Sequence, residues 1–125
     1  MPPHANPAIA PTYTALATLA ILQLIMLGAL YAGVPPHPPA RLPLFAMAPF
    51  LGLSLALCAV AAILLKPNPR SAATVALAAS LAAMVSYGPH KIVDPAFAQI
   101  WPAVLGAQAA VIALLFQLPK LRNAK

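Results

Sequence analysis

One acidic residue, Asp94, and one cysteine, Cys58, are all that this chain of 125 residues has of either kind. Charged residues of both signs make up 6% of it, where an ordinary soluble domain has about a quarter. With so few charges a soluble protein could not cover its surface, so a water-exposed globule is excluded. Disorder is excluded by the same scarcity, because disordered chains combine low hydrophobicity with high charge. The lone cysteine rules out an internal disulfide and a paired-thiol metal site. Lying inside an apolar run, it reads as a small packed side chain.

Asp, Glu, His, Lys and Arg are missing from every long apolar run. Proton-coupled transport relies on intramembrane Asp, Glu or His, and is therefore disfavoured. Metal-assisted hydrolysis needs about three converging ligands and a base. Only His4, His37, His90 and Asp94 are on offer, with His4 expected on the opposite side from the others. A nucleophile, its base and an orienting partner cannot be assembled from what remains. An enzyme acting alone is not expected, and neither a resident metal nor a particular cofactor is indicated.

What the chain has in abundance is hydrophobic residues, 62% of the total. They fall into four runs separated by prolines and basic residues. Tyr13–Val34 and Leu44–Leu65 are 22 uncharged residues each, about 33 Å as helix and enough to span a bilayer. Pro49 lies in the first turns of the second run, where it can bend a helix without breaking it. The first run exceeds a signal-peptide core and no Lys or Arg precedes it, so it reads as a retained helix. Residues 1–11, with three prolines before Pro11, read as an irregular tail.

The third run, 71–87, is short and alanine-rich, with Ser71 a plausible N-cap. For the fourth, Asp94 as N-cap and Pro95 at the first helical position make a start signal. The span proper is expected over 97–118, stopped by Pro119. Pro102 suggests that the turns from Pro95 to Trp101 bend along the interface, with Trp101, Tyr13 and Tyr31 in the aromatic belts. The expected fold is thus all-α: one transmembrane domain, 1–125, an integral membrane four-helix bundle.

Seven basic residues form no stripe and have no aromatic interleaving, so nucleic acid is not an expected partner. They lie between the runs, where positive charge sets orientation. With four spans, Lys66, Arg70, Lys120, Arg122 and Lys125 share one side, against Arg41 and Lys91 on the other. That bias puts both termini in the cytoplasm. If the third run stayed out of the membrane, the bias would vanish. The Ala- and Pro-rich composition points to a bacterial source and hence to a bacterial inner, or photosynthetic, membrane.

Lipid tails are as apolar as leucine, so close approach and interhelical hydrogen bonds must hold such helices together. In the third run Ala72, Ala76, Ala79, Ser80, Ala83 and Ser86 follow helical spacing and form a small-residue face, with Leu77, Leu81 and Met84 turned to lipid. Ala103, Gly106, Ala107 and Ala110 form a similar face on the fourth run. Gly28/Ala32 and Ala29/Gly33 carry small-xxx-small spacing on the first. These faces suit docking within the bundle and against other membrane subunits.

Polar side chains in the spans include Gln23, Ser54, Ser80, Gln99, Gln108 and Gln117. Gln108, near the centre of the fourth, must pair with a neighbouring helix, a ligand or a partner. His37, His90, Lys91 and Asp94 fall together on the non-cytoplasmic face. With Gln108, the residues His37, His90 and Asp94 are the candidates for binding a cofactor, headgroup or pigment edge. The plainer reading of that group is a solvated loop with a capping Asp. These features point first to an accessory or assembly subunit of a respiratory or photosynthetic complex. The alternatives are a homo-oligomeric channel or carrier, with Gln23, Ser80 and Gln108 lining a path, and a bundle binding quinone, pigment or haem.

Overall fold

The computed structural model describes residues 6–34 and 44–124. Four helices follow in order: α1 (Ile9–Ala32), α2 (Leu44–Leu64), α3 (Pro69–Tyr87) and α4 (Phe97–Arg122), with a short 3₁₀ segment, Pro89–Val93, before α4. Ile9, Leu65, Arg70 and Ala124 line one groove, so α1 starts where α2 ends, α3 starts and α4 ends. The helices therefore run alternately up and down. All four are long and apolar enough to cross a membrane, and the protein is an all-α, four-span bundle.

Sequence neighbours pack side by side, α1 against α2, α2 against α3 and α3 against α4, and α4 closes the ring on α1. Across the diagonals the bundle is unequal: the backbones of α1 and α3 approach closely, while those of α2 and α4 do not. The short diagonal is possible because α3 presents small side chains. Ala72, Ala76, Ala79, Ser80, Ala83 and Ser86 are all buried, as their spacing led us to expect. Half of the α3 span is buried, against 28% or less in the other three. Leu77 and Leu81 face outward as expected. Met84 does not: it packs against the core, its unbranched thioether filling space that alanines leave open.

Leu16, Leu19, Leu51, Leu65, Val104, Leu114 and Leu121 complete the interior. Large side chains such as Ile25, Ile63, Leu81 and Phe116 point away from it on every helix. In water so much exposed oil would be a liability; in hydrocarbon it is the required outer surface. Three of the hydroxyls on the spans are satisfied locally. Thr12 donates to the Ala8 carbonyl at 2.6 Å, Thr18 to Thr14 at 2.8 Å and Ser80 to Ala76 at 2.9 Å, so none of the three needs a partner from lipid.

The helix ends differ from the sequence expectations at prolines and caps. α1 begins at Ile9 rather than Tyr13. Pro11 falls in its first turn, where the missing N–H costs nothing. Asn6 Oδ1 accepts from Ala8 N at 2.9 Å and anchors the entry. Gly33, at φ 64°, ends the helix in the left-handed region, and Val34 N reaches back to the Ala29 carbonyl. The cap of α3 is Asn68, whose Oδ1 accepts from Ser71 N at 3.1 Å, with Pro69 at the first helical position. Ser71 is thus a donor to the cap and not the cap itself.

Asp94 likewise does not cap α4. Its Oδ1 accepts from Ala96 N at 2.8 Å and its carbonyl from Phe97 N at 2.9 Å, making a turn around Pro95 that delays the helix to Phe97. From there α4 runs unbroken through Pro102, with no separate interfacial segment, and past Pro119 to Arg122. A proline within a helix loses the bond to the residue four before it and crowds that carbonyl. Fully buried Leu121, and Arg70 Nε donating to the Arg122 carbonyl at 3.3 Å, hold the last turn regardless.

Candidate functional site in the bundle interior

Of the four residues singled out in the sequence, His37 lies outside the described residues. His90 is exposed on the 3₁₀ segment, its ring folded back over Gly88, so that a Cβ there would meet His90 Nδ1 at 2.9 Å. Asp94 is partly exposed and pairs loosely with Lys91, Nζ to Oδ2 3.8 Å. No hydrogen bond joins His90 to Asp94 among those described. Nor do three His, Cys, Asp or Glu side chains converge among the described residues.

Gln108 is bound between helices. Its Nε2 donates to the carbonyl of Tyr87, the last residue of α3, at 3.1 Å. The Tyr87 hydroxyl in turn donates to the Leu22 carbonyl of α1 at 2.7 Å. One residue, Tyr87, therefore ties α4, α3 and α1 together at a single level, through its main chain on one side and its side chain on the other.

Next to Leu22 stands Gln23, 1% exposed, with neither Nε2 nor Oε1 bonded to any described group. Ser54 on α2 and Ser86 on α3 are 1% and 6% exposed, and their hydroxyls are likewise without protein partners. Buried polar groups are paired in the great majority of native structures. Three such groups in one small bundle make a polar layer that demands explanation. From the sequence, Gln23 is expected only as the lining of a path and Ser86 only as part of a small-residue face. The buried stripe of α1, Thr12–Leu16–Leu19–Gln23, is flanked by apolar residues all round, so no contrast between faces marks Gln23 as inward.

The outer surface holds a second feature. On α4 the small residues pack as expected: Ala107 and Ala110 are buried, and Gly106 lies beside Leu22 of α1. On α1 Gly28 and Ala32 instead face outward, and nothing described lies within 4 Å of where a Cβ on Gly28 would be. The same holds for Gly52 on α2, with exposed Ala56 one turn on, a pair that the sequence displays at the same four-residue spacing. No protein-family model matches the chain, and neither a curated protein nor a solved structure does.

Proposed function

We propose that this small polytopic membrane protein is a non-enzymatic accessory or assembly subunit of a larger membrane complex, respiratory or photosynthetic, in a bacterial inner membrane. The carrying observation is the pair of outward notches, Gly28/Ala32 on α1 and Gly52/Ala56 on α2, at whose glycines a Cβ would meet no described residue. Small residues four apart let a second helix approach closely, and in lipid such packing replaces hydrophobic burial as the drive for association. The occupant is a transmembrane helix of a partner subunit. Lys66, Arg70, Lys120 and Arg122 gather at the end holding the α2–α3 turn and the last turn of α4, which supports reading that end, and the termini with it, as cytoplasmic.

A carrier is less well supported. The unbonded polar groups stand between mid-height, at Ser54, and the end away from the α2–α3 turn. The other half is filled by Leu16, Leu65, Ala72, Leu114 and Leu121, so a polar path stops midway.

The test is purification of the tagged protein from its native membrane in mild detergent, beside a Gly28→Leu/Gly52→Leu variant. A Cβ at either position meets no described atom within 4 Å and both sites face outward, so the bundle is expected to stay folded. Recovery of a stoichiometric partner with the native chain, lost with the variant, is the expected result. Recovery of the native chain alone, or only with itself, sinks the accessory reading.

A further inference from the structure

The levels of the three unbonded side chains can be set against one another, because Ile9, Leu65 and Arg70 share a groove at one end. At the helical rise, Gln23 stands about 21 Å above that end on α1, Ser54 about 17 Å on α2 and Ser86 about 24 Å on α3. Side chains on a helix lean toward its N-terminus. Gln23 and Ser86 therefore lean down, and Ser54, on the antiparallel helix, leans up. All three helices touch one another pairwise, and all three side chains are turned inward. The three levels fall within about 7 Å of one another on mutually touching helices, and Tyr87, the residue after Ser86, reaches the Leu22 carbonyl beside Gln23.

We infer that Gln23, Ser54 and Ser86 form an internal hydration site, a small chamber between α1, α2 and α3 that binds water within the membrane-spanning bundle. The chemistry fits a neutral molecule with both donors and acceptors: a carboxamide offers two N–H donors and a carbonyl, and each serine a hydroxyl of either sense. No charged side chain stands in any of the three spans at that level, so an ion has no counter-charge there. Buried water typically makes about three hydrogen bonds to groups left unpaired by the protein, which is what these side chains supply. The inference is independent of the docking proposal, since these residues are sealed from the outer surface.

The experiment is water-edited solid-state NMR on the full chain in lipid bilayers with 15N-labelled glutamine. The chain has four glutamines, Gln23, Gln99, Gln108 and Gln117, and the Gln23 signal is the one that disappears in Gln23→Leu. Polarisation from water is expected at Gln23 Nε2, with the Leu16 and Leu114 backbone amides, read in a leucine-labelled sample, as dry controls. Ser54→Ala and Ser86→Ala, each removing one hydroxyl, are expected to cut that transfer at least twofold. A Gln23 signal as dry as the controls overturns the inference. So does a Gln23 signal shifted by Ser54→Ala with no water transfer in either protein, since the amide would then be paired directly with the hydroxyl. A Gln23→Leu variant that resists unfolding better than the native chain would also overturn it, because that is the behaviour of an amide with no partner at all.

Discussion

The two hydrogen bonds at Tyr87 are expected to differ in strength, and the difference is measurable. Tyr87→Phe removes the hydroxyl that donates to the Leu22 carbonyl. Leu22 lies inside α1, where its carbonyl already takes the helical bond from four residues on. Nothing is orphaned, and the loss is that of an interhelical bond in a membrane protein, about 0.6 kcal/mol. Gln108→Leu is different. Tyr87 ends α3, and the N–H four residues on, Lys91, goes to the Gly88 carbonyl at 2.9 Å. Gln108 is thus the one described donor to the Tyr87 carbonyl. Removing it leaves a helix-end acceptor unpaired in a largely apolar setting, at a cost of about 1–3 kcal/mol. The volume change is small, so packing adds little. Unfolding of the purified protein, followed by circular dichroism as sodium dodecyl sulfate displaces mild detergent, reads both. The expected order is Gln108→Leu well below Tyr87→Phe, with the latter close to the native protein. A Tyr87→Phe loss equal to or larger than that of Gln108→Leu would refute the reasoning, because the orphaned carbonyl would then carry no penalty.

Other substitutions test the remaining packing claims in the same assay. Gly88→Ala places a Cβ against the Met84 carbonyl oxygen; the main chain must shift, and a loss of about 1–3 kcal/mol is expected. Asn68→Ala removes the cap on α3 and is expected to cost about 1 kcal/mol, with Asn68→Asp close to native. Ala79→Leu, at a position 1% exposed, overfills the interior, whereas Leu81→Ala, at one 63% exposed, is expected to stay within about 0.5 kcal/mol of the native value. Similar losses for that last pair would mean that α3 is rotated from the orientation described.

The spans were legible because an uncharged run of about 20 residues has few other readings. The inner face of α3 was legible too, since alanine and serine alternate there with leucine at helical spacing. The ends were read less well. Pro11 and Pro119 look like boundaries, yet a proline near a helix end forfeits one bond at most, and buried contacts at Thr12 and Leu121 outweigh it. Ser71 and Asp94 are good capping residues in isolation; the positions are settled by Asn68, one residue before a proline, and by the turn that Pro95 imposes. The interior polar layer was hidden for a different reason. In a bilayer both faces of a helix are apolar, so Gln23 could be seen as polar but not as inward. For Gln108 the need for a partner was plain from the sequence, while the identity of that partner, a backbone carbonyl on α3, required the fold.

The burial of α3 bears on how the chain gets into the membrane at all. Its outward strip is narrow, and a helix built largely from alanine gains little by exchanging water for hydrocarbon. The four residues from Leu65 to Asn68 tether it to α2, so α2 is in place before α3 must choose, and α4, made last, closes over its other side. Residence of the third span in the bilayer is therefore conferred by its neighbours more than by oil. Sequence changes that loosen α2 would be felt first during biogenesis, as a chain delivered without its third crossing, and only afterwards as a less stable bundle.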